Sequence, residues 1–210
     1  MSTGLIYVMD PMCSWCWGFA PVARALTEQA ADSGVGMRLV VGGLRRERMV
    51  MDRAGRERTL SYWQAVHSAT GQSFNLDKGL PDALIYDTER ACRALVAARS
   101  LDESRVWSLS LAIQQAFYQH GFDVTLPAVL VDLAETAGLS RSQFAERYDD
   151  PATKAATVSD FTWVENLGIA GFPTLLAEHE GQLALVTNGY QPLSALSPLL
   201  ERWLERNAHA

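Results

Sequence analysis

No stretch of this chain is apolar for long enough to cross a membrane, since every hydrophobic run falls short of the roughly 18 residues a span needs. There is no basic cluster either. Lys and Arg number 18 against 24 Asp and Glu, a formal net charge of -6. The one Arg-rich stretch, Leu44-Arg45-Arg46-Glu47-Arg48 continuing through Arg53, Arg56 and Arg58, is interleaved with acids. It reads as a solvated face with at most a minor anion-binding role, and nucleic acid is not an expected partner. Cysteine is scarce, with 3 in the chain, too few for a disulfide framework. Cys92 and the four histidines, His67, His120, His179 and His209, supply no second ligand pair to complete a four-ligand zinc site, so no metal is expected. The opening segment, Met1 to Met9, has no basic n-region and its short apolar run is closed by Asp10. Neither a signal peptide nor an anchor is expected, and the cytoplasm is the expected compartment.

What is present is an ordinary globular composition, 48% hydrophobic and 20% charged, enough to fill a sizeable core. Leu5 to Met9 and Met37 to Val41 read as short buried strands. Between them Phe19, Val22, Ala23, Leu26 and Ala30 recur at helical spacing, with Pro21 expected to kink the helix and Gly34 to end it. Strand, helix and strand in about 40 residues make a βαβ unit with a parallel pair. From about Arg46 to Ala170 the signals are helical. Asp87 is the expected N-cap of one helix, Ser140 and Gln143 fit a capping box, Pro127 and Pro151 open helices, and Val158, Phe161 and Val164 share a face. The β pattern returns as a hairpin, Thr174 to Ala177 and Leu183 to Val186 around Glu180-Gly181-Gln182, before a C-terminal amphipathic helix carrying Leu196, Leu199, Leu200, Trp203 and Leu204. The expected class is α/β, βαβ followed by a large all-helical insertion and then ββα. Residues 1–45 and 171–210 form the discontinuous β-containing domain, 46–170 the insertion, and the helix over 151–168 bridges the two.

The chemistry centres on Cys13-Ser14-Trp15-Cys16, where the first strand hands over to the first helix. The first amides of a helix lack intrahelical partners and the helix dipole is positive there. A thiolate at Cys13 is favoured by that environment, and thiolate is the nucleophile in disulfide exchange. Cys16, one turn inside, faces the same side and can close a ring with Cys13. Cys13 is thus the expected attacking residue and Cys16 the resolving one. Trp15 offers an apolar surface beside the reacting sulfur, while Trp17 and Phe19 read as core. Asp10 reads first as a turn residue before Pro11, with proton transfer towards Cys16 as its functional alternative. Cys92 reads as a buried small hydrophobe, His67 and His120 as surface or cap residues, and Trp63, Trp107 and Trp163 as helix packing.

The chain resembles the DsbA-like branch of the thioredoxin superfamily. The resemblance rests on Asp10-Pro11-Met12-Cys13-Ser14-Trp15-Cys16-Trp17-Gly18-Phe19 and on Gly171-Phe172-Pro173-Thr174, and it covers the whole length in outline. It is nearest to the proteins described as predicted protein-disulfide isomerases, close to 2-hydroxychromene-2-carboxylate isomerases. The resemblance implies a thioredoxin fold with a helical insert, redox chemistry at Cys13 and Cys16, and a cis Phe172–Pro173 bond lying against Cys13. With Trp15, Phe172 and Pro173 would then contact substrate. Two departures stand out: no Pro-His lies between the cysteines, and no secretion signal is seen.

Three functions compete. The first is thiol–disulfide exchange or isomerisation on protein or peptide substrates, with no bound cofactor and glutathione as a redox partner. The second is a glutathione-dependent small-molecule isomerase or transferase of the same fold, which needs no second cysteine. The third is a redox sensor or adaptor.

Overall fold

The computed structural model describes residues 3–207, so His209 and the first two residues lie outside the described part. Its elements run β1 (Thr3–Met9), α1 (Ser14–Asp32), β2 (Gly36–Val41), α2 (Arg53–Thr70), α3 (Glu89–Leu101), a short 3₁₀ turn, α4 (Val106–Tyr118), α5 (Pro127–Thr136), α6 (Arg141–Asp149), α7 (Pro151–Asn166), β3 (Thr174–His179), β4 (Gln182–Asn188) and α8 (Leu193–Asn207). This is the βαβ, helical insertion, ββα order of a thioredoxin fold. The sheet order is β2-β1-β3-β4. β1 and β2 are parallel, and β3 is antiparallel to both β1 and β4.

β1 is buried on both faces, which is why its sequence is a continuous apolar run instead of an alternation. Leu5, Tyr7 and Met9 enter the main core with α1, α4 and α8. Ile6 and Val8 point the other way, against Val40, Leu176 and Val164 of α7. The helix over 151–166 therefore lies on the sheet. No named strand falls between β2 and β3, where one isolated bridge joins Arg46 to Asp87. The hairpin turns through Glu180 and Gly181, both at positive φ, and Gln182 already belongs to β4.

Several local expectations are corrected. α1 runs from Ser14 to Asp32 with Pro21, the expected kink position, inside it. Proline has no N–H for the Trp17 carbonyl, and the Gln72 side-chain amide donates to that carbonyl instead at 3.0 Å. The N-cap of α3 is Thr88, while Asp87 accepts from the Glu89 N–H at 3.1 Å. Ser140 is the N-cap of α6, but its hydroxyl meets Ser142 at 3.4 Å and no capping box forms. On α7 the buried face is Thr153, Thr157, Phe161 and Val164, with Val158 exposed. On α8 Leu196, Leu200 and Leu204 are buried and Leu199 is exposed. Asp150 and the prolines at 127 and 151 behave as read: Asp150 accepts from the Ala152 N–H at 2.8 Å.

Candidate active site

β1 ends at Met9, and the chain turns at once into α1. Cys13 N–H donates to the Asp10 carbonyl at 3.0 Å, and Met12 N–H donates to Asp10 Oδ1 at 2.8 Å. Asp10 therefore does form the turn. Cys13 is the N-cap of α1 in an extended conformation, and its carbonyl accepts from Trp17 N–H at 3.1 Å. Ser14, Trp15 and Cys16 are thus the first residues of the helix, where amides lack intrahelical acceptors. The Cys13 side chain makes no capping bond. Its thiol donates to the Phe172 carbonyl, with Sγ 3.6 Å from that oxygen.

That contact crosses the fold because Val8 of β1 pairs with Thr174 of β3, which sets the start of β3 beside the end of β1. The Phe172–Pro173 bond is cis. The Pro173 carbonyl accepts from Gly189 N–H at 2.7 Å. Phe172 N–H has no acceptor among the described residues, and its carbonyl meets the Cys13 thiol alone. The Phe172 ring lies over Gly42, at the end of β2, and packs into both cores.

Cys13, Cys16 and Cys92 are all free thiols. Cys13 lines a groove of about 270 Å³ with Trp15, Leu44, Arg45, Tyr62 and Trp63. Cys16 does not reach the groove and is 0% exposed. Burial, then the adjacent Cys13 sulfur, pushes the Cys16 thiol well above the usual thiol range. Trp15 is half-buried, 6.0 Å from the Tyr190 ring, while Trp17 and Phe19 are core.

Asp10 does more than turn the chain. It is 0% exposed. Its Oδ2 accepts from Leu44 N–H at 2.7 Å, from the Thr88 hydroxyl at 2.6 Å and from the Cys92 thiol at 3.4 Å. Cys92 is buried as expected, but it faces this carboxyl. The Thr88 oxygen is also 3.3 Å from the Arg45 carbonyl. Its hydrogen can go to Asp10 or to Arg45, so the network accommodates either protonation state of the acid. None of these partners carried a sequence signal beyond the helix start expected at the neighbouring Asp87. Tyr86, whose hydroxyl donates to the Met12 carbonyl at 2.6 Å, carried no signal.

Burial raises the Asp10 carboxyl above its ordinary value of 3.8, outweighing its hydrogen bonds, of which the Thr88 bond is the largest. Asp10 therefore stabilises the fold most while protonated. That contribution is complete below the unfolded carboxyl range and is lost as pH rises through the higher folded value. The urea midpoint of Asp10→Asn is expected to gain on that of the wild type as pH rises from about 4. A midpoint difference that is flat with pH would contradict this.

A four-stranded mixed sheet, a Cys-x-x-Cys pair opening α1 and a cis Phe172–Pro173 bond whose Phe172 carbonyl meets the Cys13 thiol belong to a thiol–disulfide oxidoreductase of thioredoxin fold. The chain belongs to the DSBA-like thioredoxin domain family, whose model matches residues 5–201. It is similar to a crystal structure described as a "putative protein disulfide isomerase" from Nitrosomonas europaea, at 36% identity and a TM-score of 0.92, covering 98% of this chain and 99% of that one. It is also similar to the cytosolic disulfide reductase DsbM from Pseudomonas aeruginosa, at 28% identity and a TM-score of 0.80, covering 97% and 99%. A second DsbM structure, with GSH, matches at 26% identity and a TM-score of 0.77, covering 95% and 98%. No curated protein matches the sequence. Among the described residues no helix is long and apolar enough to cross a membrane, and no group of His, Cys, Asp or Glu is arranged to hold a metal ion.

Proposed function

We propose that the protein is a dithiol oxidoreductase/isomerase of protein or peptide disulfides, with Cys13 attacking and Cys16 resolving. The observation that carries this is the asymmetry of the pair: Cys13 lines the groove and Cys16 is sealed behind it. In the first step Cys13 thiolate attacks one substrate sulfur, the substrate S–S bond breaks, and the second substrate sulfur leaves as a thiolate. A mixed disulfide remains on Cys13. In the second step Cys16, after losing its proton, attacks Cys13 Sγ, and the first substrate sulfur leaves. The protein now holds a Cys13–Cys16 disulfide, and the substrate has gained two electrons. Thiols such as glutathione, as external redox partner, return the pair to the dithiol. In the isomerase mode the leaving substrate thiolate attacks elsewhere and no net electrons move.

Burial keeps Cys16 protonated until it is needed, and Asp10 is the proposed acceptor of its proton. Both lie at the turn from β1 into α1, and the charge of Asp10 is among the influences felt by Cys16. Phe172 and Pro173 are the proposed docking edge. The free Phe172 N–H can pair with an extended substrate backbone, and the Phe172 carbonyl sits beside the attacking sulfur. Trp15 is proposed to cover the apolar flank of the substrate. Support for the cytoplasm as the working compartment is the cytosolic description of DsbM, and support for glutathione as redox partner is the DsbM structure with GSH.

The test is reduction of a peptide carrying one intramolecular disulfide, with glutathione as reductant. Wild type is expected to turn over, and Cys16→Ser to lose turnover while a mixed disulfide accumulates. If Cys16→Ser instead kept full activity on a glutathione-dependent small-molecule isomerisation, that chemistry would replace the dithiol reading.

A further inference from the structure

The groove beside Cys13 is walled by Trp15, Leu44, Tyr62, Trp63, Tyr86 and Phe172, and a single charged side chain, Arg45, enters its lining. Arg45 forms no ion pair with any acid among the described residues, whereas the next residue, Arg46, pairs with Glu165 at 3.2 Å. Arg45 is nevertheless fixed. Its guanidinium carbon stands 4.8 Å from the centre of the Tyr86 ring. Tyr86 is itself held by its bond to the Met12 carbonyl, one residue before Cys13. The Arg45 backbone is pinned on both sides of its peptide unit: its N–H donates to the Thr88 oxygen at 3.3 Å, and its carbonyl accepts from Thr88 N–H at 2.9 Å. A guanidinium that is stacked, pinned and without a carboxylate has its fork of donors already oriented for a planar anion.

We propose that Arg45 is the carboxylate-recognising residue of the groove and selects disulfides that bear a carboxylate close to the reacting sulfur. The inference rests on the dithiol reading above and names the substrate class it favours. The size of the groove limits that class. At about 270 Å³ it lies just below the roughly 300–1,000 Å³ of pockets that enclose a drug-sized ligand. It accommodates a short arm around the sulfur, with the carboxylate a few bonds away. Two sources carry that chemistry: the free carboxylates of a glutathione-type tripeptide, and an acidic side chain next to a cysteine in a longer peptide. The protein's net charge of -6 gives no general attraction for anions, so the preference must come from a cation within the groove. Salt screens charges over about 8–10 Å at ordinary ionic strength, so distant charges add little to it.

The experiment compares wild type with Arg45→Met, which keeps an unbranched apolar stem to lie on Tyr86, and with Arg45→Lys. Three disulfides are used: oxidised glutathione, its fully esterified form, and paired short peptides with Glu or Gln beside the cysteine. The expected result is a fall of about tenfold or more in the ratio of kcat/KM for oxidised glutathione to that for its ester in Arg45→Met, with Arg45→Lys between the two. A matching fall in the Glu to Gln peptide ratio assigns the preference to carboxylates in general, and an unchanged peptide ratio confines it to the tripeptide. The second readout is calorimetric binding of S-methylglutathione, which needs no turnover. Wild type is expected to bind it about tenfold more tightly than Arg45→Met does. Equal binding by the two proteins, or no measurable binding by wild type, overturns the inference. A binding difference without disulfide turnover would instead sink the dithiol reading and leave the carboxylate site standing.

Discussion

Cys13→Ser is expected to reduce disulfide exchange to the uncatalysed background, a loss on the order of 10³-fold or more for removal of a nucleophile. A serine hydroxyl at the N-cap of α1 can take up the capping bond that the Cys13 thiol does not make. The variant should therefore fold at least as well as the wild type, and the loss can be assigned to chemistry. Cys16 cannot substitute. It is 0% exposed, is absent from the groove lining, and burial holds it in the thiol form. The check is paired: initial rates of peptide-disulfide reduction, and the urea midpoint of the same sample. Substantial exchange by a folded Cys13→Ser would mean that another sulfur attacks.

Gly42→Ala is expected to damage fold and site together. Gly42 N–H donates to the Met9 carbonyl at 2.8 Å, which fixes its backbone. A Cβ built there overlaps the Phe172 ring. That ring cannot swing freely, because it packs into the cores on both faces of the sheet. Overpacking of this kind costs about 1–3 kcal/mol. For a chain of this length each kcal/mol lowers Tm by about 2–4 °C. Displacing the ring also moves the Phe172 carbonyl that meets the Cys13 thiol, so exchange should slow even well below Tm. Phe172→Leu in the same chain should relieve part of the clash, giving a favourable coupling between neighbours in a double-mutant cycle. Gly36→Ala is the control, since nothing lies within 4 Å of its added Cβ. An unchanged Tm and rate in Gly42→Ala would show that Phe172 is not fixed as described.

Much of the fold was legible because its signals are local. The run Leu5 to Met9, the helical spacing after Cys16, Pro127, Asp150-Pro151 and the Gly181 turn each specify their own element. Boundaries failed where a side chain had a stronger tertiary partner. Thr88 gives its hydroxyl to Asp10 instead of to its own helix, and Ser140 turns to Ser142. Val158 misled because it sits at the right spacing on the wrong face; Thr157, a polar residue, takes the buried position and donates its hydroxyl back to the Thr153 carbonyl at 2.8 Å. The cysteine pair was legible from spacing and from the strand-to-helix context. Phe172 and Pro173 were legible only through family resemblance, since 159 positions separate Cys13 from Phe172. The rest of the site comes from the loop after β2 (Leu44 and Arg45), the middle of α2 (Tyr62) and the approach to α3 (Tyr86 and Thr88). Their approach to Cys13 depends on how β2 delivers the chain past Asp10, and no periodicity encodes that.

The division of labour proposed for the pair, attack by Cys13 and resolution by Cys16, is tested most directly by reacting reduced Cys16→Ala with a peptide disulfide and mapping the trapped adduct by mass spectrometry after digestion under non-reducing conditions. The expected product is one peptide per chain, attached to Cys13 and released by dithiothreitol. An adduct on Cys92, or none while exchange continues, would contradict it.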